Sequence, residues 1–424
     1  MQYFKNRLLF VLCTPRLFYG WWIVAAGFFI IACGLGTISF VLQNLFALVK
    51  NLGGTVNQTT TALMIHNIVA VIAVLAIGPL IDRFGPRKLM LIGIPIASIP
   101  IASIAVLGFS FVHSLLYIHL SILAIGTSVG FFLPVQTATA NWFIKRRSLA
   151  LAVICAAPIL GKSMINILGE KIADLFDLLG AFLGLGLVML LIGIPLALVI
   201  RHRPEQYGCL PDGASLPTEK DNTDTEISFT LRQALRTRAF WMLTIAMGLA
   251  AGVSTAAEGI GQPYLISERG FDLRTTINIF RLAPLMGLVW MLLFGFLGDK
   301  FPKRYLLAFV SALQGLSMVI LMAMGSINQL YLYMLVCGFS SAIGPLALAI
   351  RADYFGRKKF ATIFAVMGLA SVILSVGFPP LFRLMQTNTG SYRPVLLLSM
   401  TLGFLGAVVF LFTKSPGVTK PEGS

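Results

Sequence analysis

Charge is what this sequence has least of. Lys, Arg, Asp and Glu make up 11% of the 424 residues, against 57% hydrophobic. A soluble domain carries about 25% charged residues, so a water-soluble globular fold is excluded. Acidic groups are the scarcest: 16 Asp and Glu face 32 Lys and Arg, a formal net charge of +16. The cations fall in short clusters between apolar runs, with no basic stripe and no interleaved aromatics. That pattern is topology, and nucleic acid is not expected as a partner. The five cysteines (Cys13, Cys33, Cys155, Cys209, Cys337) are scattered without paired spacing. Neither a disulfide frame nor a zinc site is expected from them. Metal-ligand clusters, nucleophile–base spacings and phosphate-cradling glycine loops are lacking too, so the reading is not an enzyme and no metal or cofactor is expected. The first apolar run is too long for a signal peptide and has no small-residue cleavage site, which makes it a mature helix.

What is present is long apolar runs. A membrane-crossing helix needs about 20 mostly apolar residues. Twelve such spans are expected, at 20–48, 58–81, 89–110, 114–138, 148–168, 178–200, 240–264, 275–297, 305–325, 329–350, 360–382 and 393–413. The expected fold class is an all-α integral membrane protein with two pseudo-symmetric six-helix halves. Its parts are an N-terminal half (1–200), a linker (201–239) and a C-terminal half with a short tail (240–424). The linker breaks the apolar pattern with Pro204, Pro211, Pro217 and an acidic run at 221–226. Toward its end, Phe229, Leu231 and Leu235 share a face opposite arginines, as in a short amphipathic helix on a membrane surface; a plain linker is the alternative.

Orientation follows from the cations. With the N-terminus inside, 24 Lys and Arg fall on the cytoplasmic side and 6 outside, and two, Lys162 and Arg281, stay within the membrane. This bias places both termini and the linker in the cytoplasm. The tripeptide Asn57-Gln58-Thr59 has the form of a glycosylation sequon, but so short a match arises by chance, and the compact loops point to a bacterial inner-membrane protein.

One motif is written twice. Gly78-Pro79-Leu80-Ile81-Asp82-Arg83-Phe84-Gly85-Pro86-Arg87-Lys88 ends the second span, and Gly295-Phe296-Leu297-Gly298-Asp299-Lys300-Phe301-Pro302-Lys303-Arg304 ends the eighth. Asn141 to Arg147 and Asp353 to Lys359 form a second matched pair. Duplicated halves with basic turns in matching places are the sequence form of a secondary transporter. The motif resembles the signature loop of the major facilitator superfamily. That resemblance covers nearly the whole chain. It implies a gate in which Asp82 or Asp299, with Arg83, Gly85, Arg87, Lys300 and Arg304, pairs a carboxylate with an Arg or Lys across the halves. The plain alternative is that the cations hold the loop inside and the glycines make the turn.

Four further segments are similar to the branch containing bacterial monocarboxylate transporters and oxalate–formate exchangers. They are Phe18 to Val24, Trp142 to Ala150 followed by Ala156 to Gly161, Arg203 to Gly213 and Leu235 to Trp241. None is by itself a substrate contact.

Ionisable groups inside spans are expensive and usually have a task. Arg281 is the one charged residue in the eighth span. It keeps its proton at any physiological pH and its planar fork suits a carboxylate. The resembling branch places a substrate-binding arginine in this helix. A snorkelling side chain or an internal ion pair is the alternative. Asn278, one turn earlier, shares its face. Lys162, with Asn166 four residues on, is a second candidate for substrate binding, or a partner for Glu170. Glu258, the one acidic residue well inside a span, is a proton-coupling candidate, or else a counter-ion for Arg281 or Lys162. His66 is the other proton candidate, with a helix–helix hydrogen bond as the alternative.

The chain also departs from the branch. An aspartate usual one turn before the helix-8 arginine is replaced by Ile277 and Asn278, the first span has no lysine, and the eleventh (360–382) has no cation, Arg383 standing at its outer end. The function expected is transport of a small monocarboxylate such as lactate or pyruvate by alternating access, coupled to a proton, in a monomer within the lipid bilayer. Exchange of organic anions and efflux of apolar compounds are the alternatives. A sensor on a transporter fold is disfavoured, since the loops carry no large soluble domain.

Overall fold

The computed structural model describes residues 18–51, 53–107, 113–213 and 228–416. Among them the structure is helical, with membrane-length apolar helices throughout. We number the spans α1 (Tyr19–Asn51), α2 (Val56–Phe84), α3 (Pro86–Leu107), α4 (Leu115–Trp142), α5 and α6 (within Arg147–Val199), α7 (Arg238–Ser267), α8 (Leu273–Lys300), α9 (Lys303–Ala323), α10 (Ile327–Phe355), α11 (Phe360–Thr389) and α12 (Arg393–Phe412). The stretch Arg147–Val199 is continuous in hydrogen bonding but leaves helical geometry at Phe176 and Asp177, which separates α5 from α6. Asp177 takes φ 67°, ψ −177°, a strained positive-φ conformation that breaks the helix. Its Oδ1 then accepts the Gly180 N–H at 2.8 Å, capping the new helix. The twelve expected spans are therefore present.

Helix starts follow local chemistry. Thr55 and Gln58 form a reciprocal capping box at α2, and Ser326 and Gln329 do the same at α10. The expected amphipathic helix before α7 is a five-residue helix, Leu231–Leu235, started by a third such box from Thr230 and Gln233. The acidic run at 221–226 lies outside the described residues. Cys209 is disulfide-bonded. Cys33, Cys155 and Cys337 are free thiols.

By contacts the chain forms two units. The first comprises 1–225 together with Lys359–Ala365, the first turn and a half of α11; the second comprises the remainder. In the first unit α1 packs along α5, and α3 packs on α4 and α6. Small residues permit the close α1–α5 approach: a Cβ on Gly161 would meet the Ala32 carbonyl oxygen at 2.3 Å. The core of this unit gathers Ile23, Ile30, Phe131, Trp142, Phe143 and Phe182, all buried. In the second unit α12 lies between α7 and α9, around a core of Tyr264, Leu321, Tyr333 and Phe382.

Candidate functional site

The polar groups singled out by sequence lie in three places. The first is in the second unit, where α8 is broken. Its first segment, Leu273–Phe280, begins at Asp272, whose side chain accepts the Thr275 N–H at 2.9 Å. These hydrogen bonds to the carboxylate hold Asp272 below the ordinary carboxylate range. The second segment, Ala283–Lys300, follows after Arg281 and Leu282. Pro284 explains the interruption. It has no N–H to donate to the Phe280 carbonyl, and its ring disfavours continuous helix before it. Arg281 and Leu282 turn tightly instead, with Leu282 N–H donating to Ile279 O at 2.9 Å.

Arg281 therefore stands at a discontinuity in a membrane helix. Its side chain and that of Asn278 are exposed and not packed into the helix core. Next to it, Phe280 packs on Tyr333 of α10, ring centroids 6.2 Å apart. A Cβ on Gly261 of α7 would meet the Phe280 ring at 3.3 Å and the Tyr333 hydroxyl at 3.5 Å. Tyr333 is fully buried, and its hydroxyl makes no conventional hydrogen bond among the described residues. The Cys337 thiol, one turn on, is its polar neighbour, and Glu258 acts electrostatically on that thiol. Glu258 itself lies one turn before Gly261 and is exposed. The structure thus draws Glu258, Phe280 and the Tyr333–Cys337 pair around Gly261, beside the break that carries Arg281. Sequence reasoning did not find Tyr333 or Cys337, because neither is charged.

The second place is in the first unit. Lys162 is exposed on α5 directly after Gly161. Asn166 donates to the Gln43 side chain of α1 at 3.3 Å, and its own Oδ1 is buried without a partner among the described residues. His66 is elsewhere, 7% exposed, with Nδ1 3.0 Å from the Leu120 carbonyl of α4. Since a carbonyl only accepts, Nδ1 carries the hydrogen, and this bond is a helix–helix contact.

The third place is the repeated motif. The Asp82 carboxylate sits at the N-terminus of α11. Oδ1 accepts the Ala361 N–H at 3.2 Å, and Oδ2 accepts the Thr362 N–H at 3.0 Å and the Thr362 hydroxyl. A helix N-terminus offers unpaired N–H groups and a partial positive charge, so a carboxylate is held there without an ion pair. Lys359 is the cation that acts on Asp82 electrostatically. The hydrogen-bond partners are thus backbone and hydroxyl groups, where an Arg or Lys side chain was expected. Two glycines make this possible. Gly78 leaves no room for a side chain, since its Cβ would lie 2.9 Å from the Ala361 carbonyl oxygen. Gly85 adopts φ 83°, which glycine alone reaches at no steric cost. Of the motif cations, Arg83 is exposed and lies over the Phe84 ring, while Arg87 is half-buried. In the second copy, which also holds Asp299, Lys300 lies over Phe296 and Arg304 over Tyr305. Lys303 pairs with Asp353 at 2.7 Å, joining the two repeated motifs of that unit.

The buried guanidinium groups are others than those expected. Arg147, Arg351 and Arg357 are at most 9% exposed, all at the motif-bearing ends of the helices. Arg147 donates to the Phe143 and Ala140 carbonyls of its own turn, at 2.8 and 3.3 Å. Arg383 was expected at the outer end of α11, but the helix continues past it to Thr389 in a second segment, Phe378–Thr389, and its side chain is exposed. Among the described residues no group of His, Cys, Asp and Glu is arranged to hold a metal ion.

Comparison with known proteins agrees with this architecture. The chain is 23% identical over 379 residues to the oxalate:formate antiporter of Oxalobacter formigenes, covering 83% of this chain and 81% of that one. The proton:xylose symporter XylE superposes with a TM-score of 0.71 at 15% identity, covering 93% of this chain and 96% of that one. The Escherichia coli fucose:proton symporter FucP gives 0.68 at 14% identity, covering 93% and 98%. The human organic anion transporter MFSD10 gives 0.65 at 14% identity, covering 92% and 99%. The family model of the Major Facilitator Superfamily matches residues 24–341 and 282–424. With twelve apolar spans and a family match over almost its full length, the chain belongs to the Major Facilitator Superfamily and is a multi-pass membrane transporter.

Proposed function

We propose that this transporter carries a small organic monocarboxylate, of the lactate or pyruvate kind, across a bacterial inner membrane in symport with a proton. The observation that carries the reading is Arg281 at the break in α8, exposed, with Asn278 one turn away. Transporters of this type place their sites at discontinuous helices. A fixed guanidinium at such a site favours an anion, and two parallel N–H donors match a carboxylate. Each charge-assisted hydrogen bond contributes about 1.5–3 kcal/mol. The halves then expose the site to each side in turn. Glu258, close to Cys337 and one turn from Gly261, is the proton carrier in this reading, as the one acidic side chain beside the α8 break. His66 is the weaker proton candidate, because its Nδ1–H is already spent on Leu120. Lys162 and Asn166, on α5, remain further candidates for binding the carboxylate in this reading. We take the protein as a monomer with both termini in the cytoplasm.

A second reading is organic anion exchange without a proton. Two observations favour it: the similarity to an oxalate:formate antiporter, and Arg383 lying inside α11 as a second cation of the same unit.

The test is uptake of labelled lactate, pyruvate, formate and oxalate into proteoliposomes, with and without an inward proton gradient. Gradient-driven lactate or pyruvate uptake that Glu258→Gln uncouples supports symport. Uptake that needs an internal anion and ignores the gradient supports exchange and removes Glu258 from the mechanism.

A further inference from the structure

The stretch from Arg201 to Gly213 follows α6 and belongs to the first unit. It is tied down along its whole length. The Trp142 indole N–H donates to the Arg201 carbonyl at 3.1 Å, and the Asn141 amide donates to the His202 carbonyl at 3.1 Å. The Arg201 guanidinium donates to the Tyr19 hydroxyl at 3.2 Å and lies over the Tyr207 ring at 4.2 Å. The His202 ring fills the space beside Gly85, 3.3 Å from where a side chain there would begin. At the far end, Asp212 catches the turn that joins α4 to α5. Its Oδ2 accepts the N–H groups of Ile144 and Lys145 at 2.9 and 2.8 Å, and Oδ1 accepts that of Arg146 at 3.4 Å.

Three consecutive N–H groups converging on one carboxylate form an anion nest at the start of a helix. Arg146, the residue before α5, gives no side-chain cap of its own. Asp212 supplies the missing anion from 66 or more positions away. To do so it holds φ 58°, ψ 11°, a left-handed conformation that costs free energy and that Asp tolerates better than most. A loop that served only to connect two helices would need neither the conformation nor the convergence.

We propose that Asp212 is a positioning residue for transport. Through the strap Arg201–Gly213 it fastens the α4–α5 turn (143–147) to the α2–α3 turn at Gly85, so that both motif turns of the first unit move as one body. The α2–α3 turn is also the one that carries Asp82, which holds the first turn of α11. The strap sets how sharply that hold is made and released, and so acts on turnover and not on substrate recognition.

The experiment compares Asp212→Asn, Asp212→Glu and wild type by two independent measurements. Hydrogen exchange by mass spectrometry on the purified full chain needs no substrate. Asp212→Asn is expected to speed amide exchange at 144–146 and 201–213 at least tenfold, with the outer loops unchanged. Lactate flux in proteoliposomes is expected to lose about fivefold in maximal rate at unchanged KM, with Asp212→Glu recovering part of it. Unchanged exchange at 144–146 overturns the strap, and a raised KM with unchanged maximal rate overturns the positioning role. If Asp212→Asn does not fold, Trp142→Phe replaces it. That variant deletes one tie while keeping the ring, and faster exchange at 201–203 with slower flux is expected. Failure of wild type to carry lactate contradicts the substrate reading alone, and the exchange measurement still decides the strap.

Discussion

The Asp82 carboxylate receives both the backbone N–H and the side-chain hydroxyl of Thr362, 280 residues further along the chain. A carboxylate at a helix N-terminus is a cap supplied from elsewhere in the chain. Removing a cap of this kind costs about 0.5–2 kcal/mol. Asp82→Asn is therefore expected to slow maximal transport several-fold while leaving KM within twofold, because no substrate contact is touched. Thr362→Val is expected to shift the rate the same way by less, since the backbone donor remains. Parallel flux measurements check both, and a change confined to KM would contradict the capping role.

Gly78 is expected to tolerate no side chain. Alanine there would bring a Cβ to 2.9 Å from the Ala361 carbonyl oxygen, forcing α2 and the first turn of α11 apart. Gly78→Ala should reproduce the Asp82→Asn transport defect with Asp82 intact. Full activity in Gly78→Ala would show that the close approach is dispensable.

Acid should loosen the strap. Burial, together with the charge of Arg203, lowers His202 from the usual value of 6.5 to about 4. A released strap would bind a proton on this histidine near 6.5, while the docked strap resists it down to about 4. Docking is therefore fully favoured above pH 6.5, weakens as pH falls through the window, and weakens no further below 4 on this account. Amide exchange at 201–213, corrected for intrinsic rates, should rise relative to the outer loops between pH 7.5 and 5. His202→Gln should flatten that rise.

Asp272 starts the segment that ends at Arg281. Its carboxyl is held below the ordinary range by the Thr275 backbone and side chain. The cap's charge contribution is thus present above the normal carboxylate pKa and lost as pH falls through the lowered one. Asp272→Ala is expected to raise KM for the carboxylate by loosening the segment, and Asp272→Ser, which caps equally well, to restore it. Comparing the KM of these two variants in a transport assay separates capping from charge.

The twelve spans were legible because a bilayer demands about 20 apolar residues per helix, and runs of that length have few other meanings. The repeated motif was legible as a pattern, yet the partner of Asp82 was not. Backbone N–H groups at a helix start carry no side-chain signature, and Thr362 gives no warning in sequence. The break at Arg281 had a signal in Pro284, three residues on, that the apolar count hides. The end of α11 was placed too early because Arg383 interrupts the apolar run, while the helix continues past it to Thr389. Tyr333 and Cys337 could not be found by looking for charge. Asp212 could not be found by local pattern, because the N–H groups it caps belong to a turn more than 60 residues earlier.

The most direct measurement is lactate and pyruvate uptake by Arg281→Lys and Arg281→Ala beside wild type in the same proteoliposome preparation. The site predicted here loses its paired donors in Arg281→Lys and its charge in Arg281→Ala. Transport efficiency should fall at least tenfold in the first and a hundredfold in the second, at about 1.4 kcal/mol per tenfold. Uptake of either acid at wild-type rates by Arg281→Ala would contradict the account, because the guanidinium at the α8 break would then have no part in binding the anion.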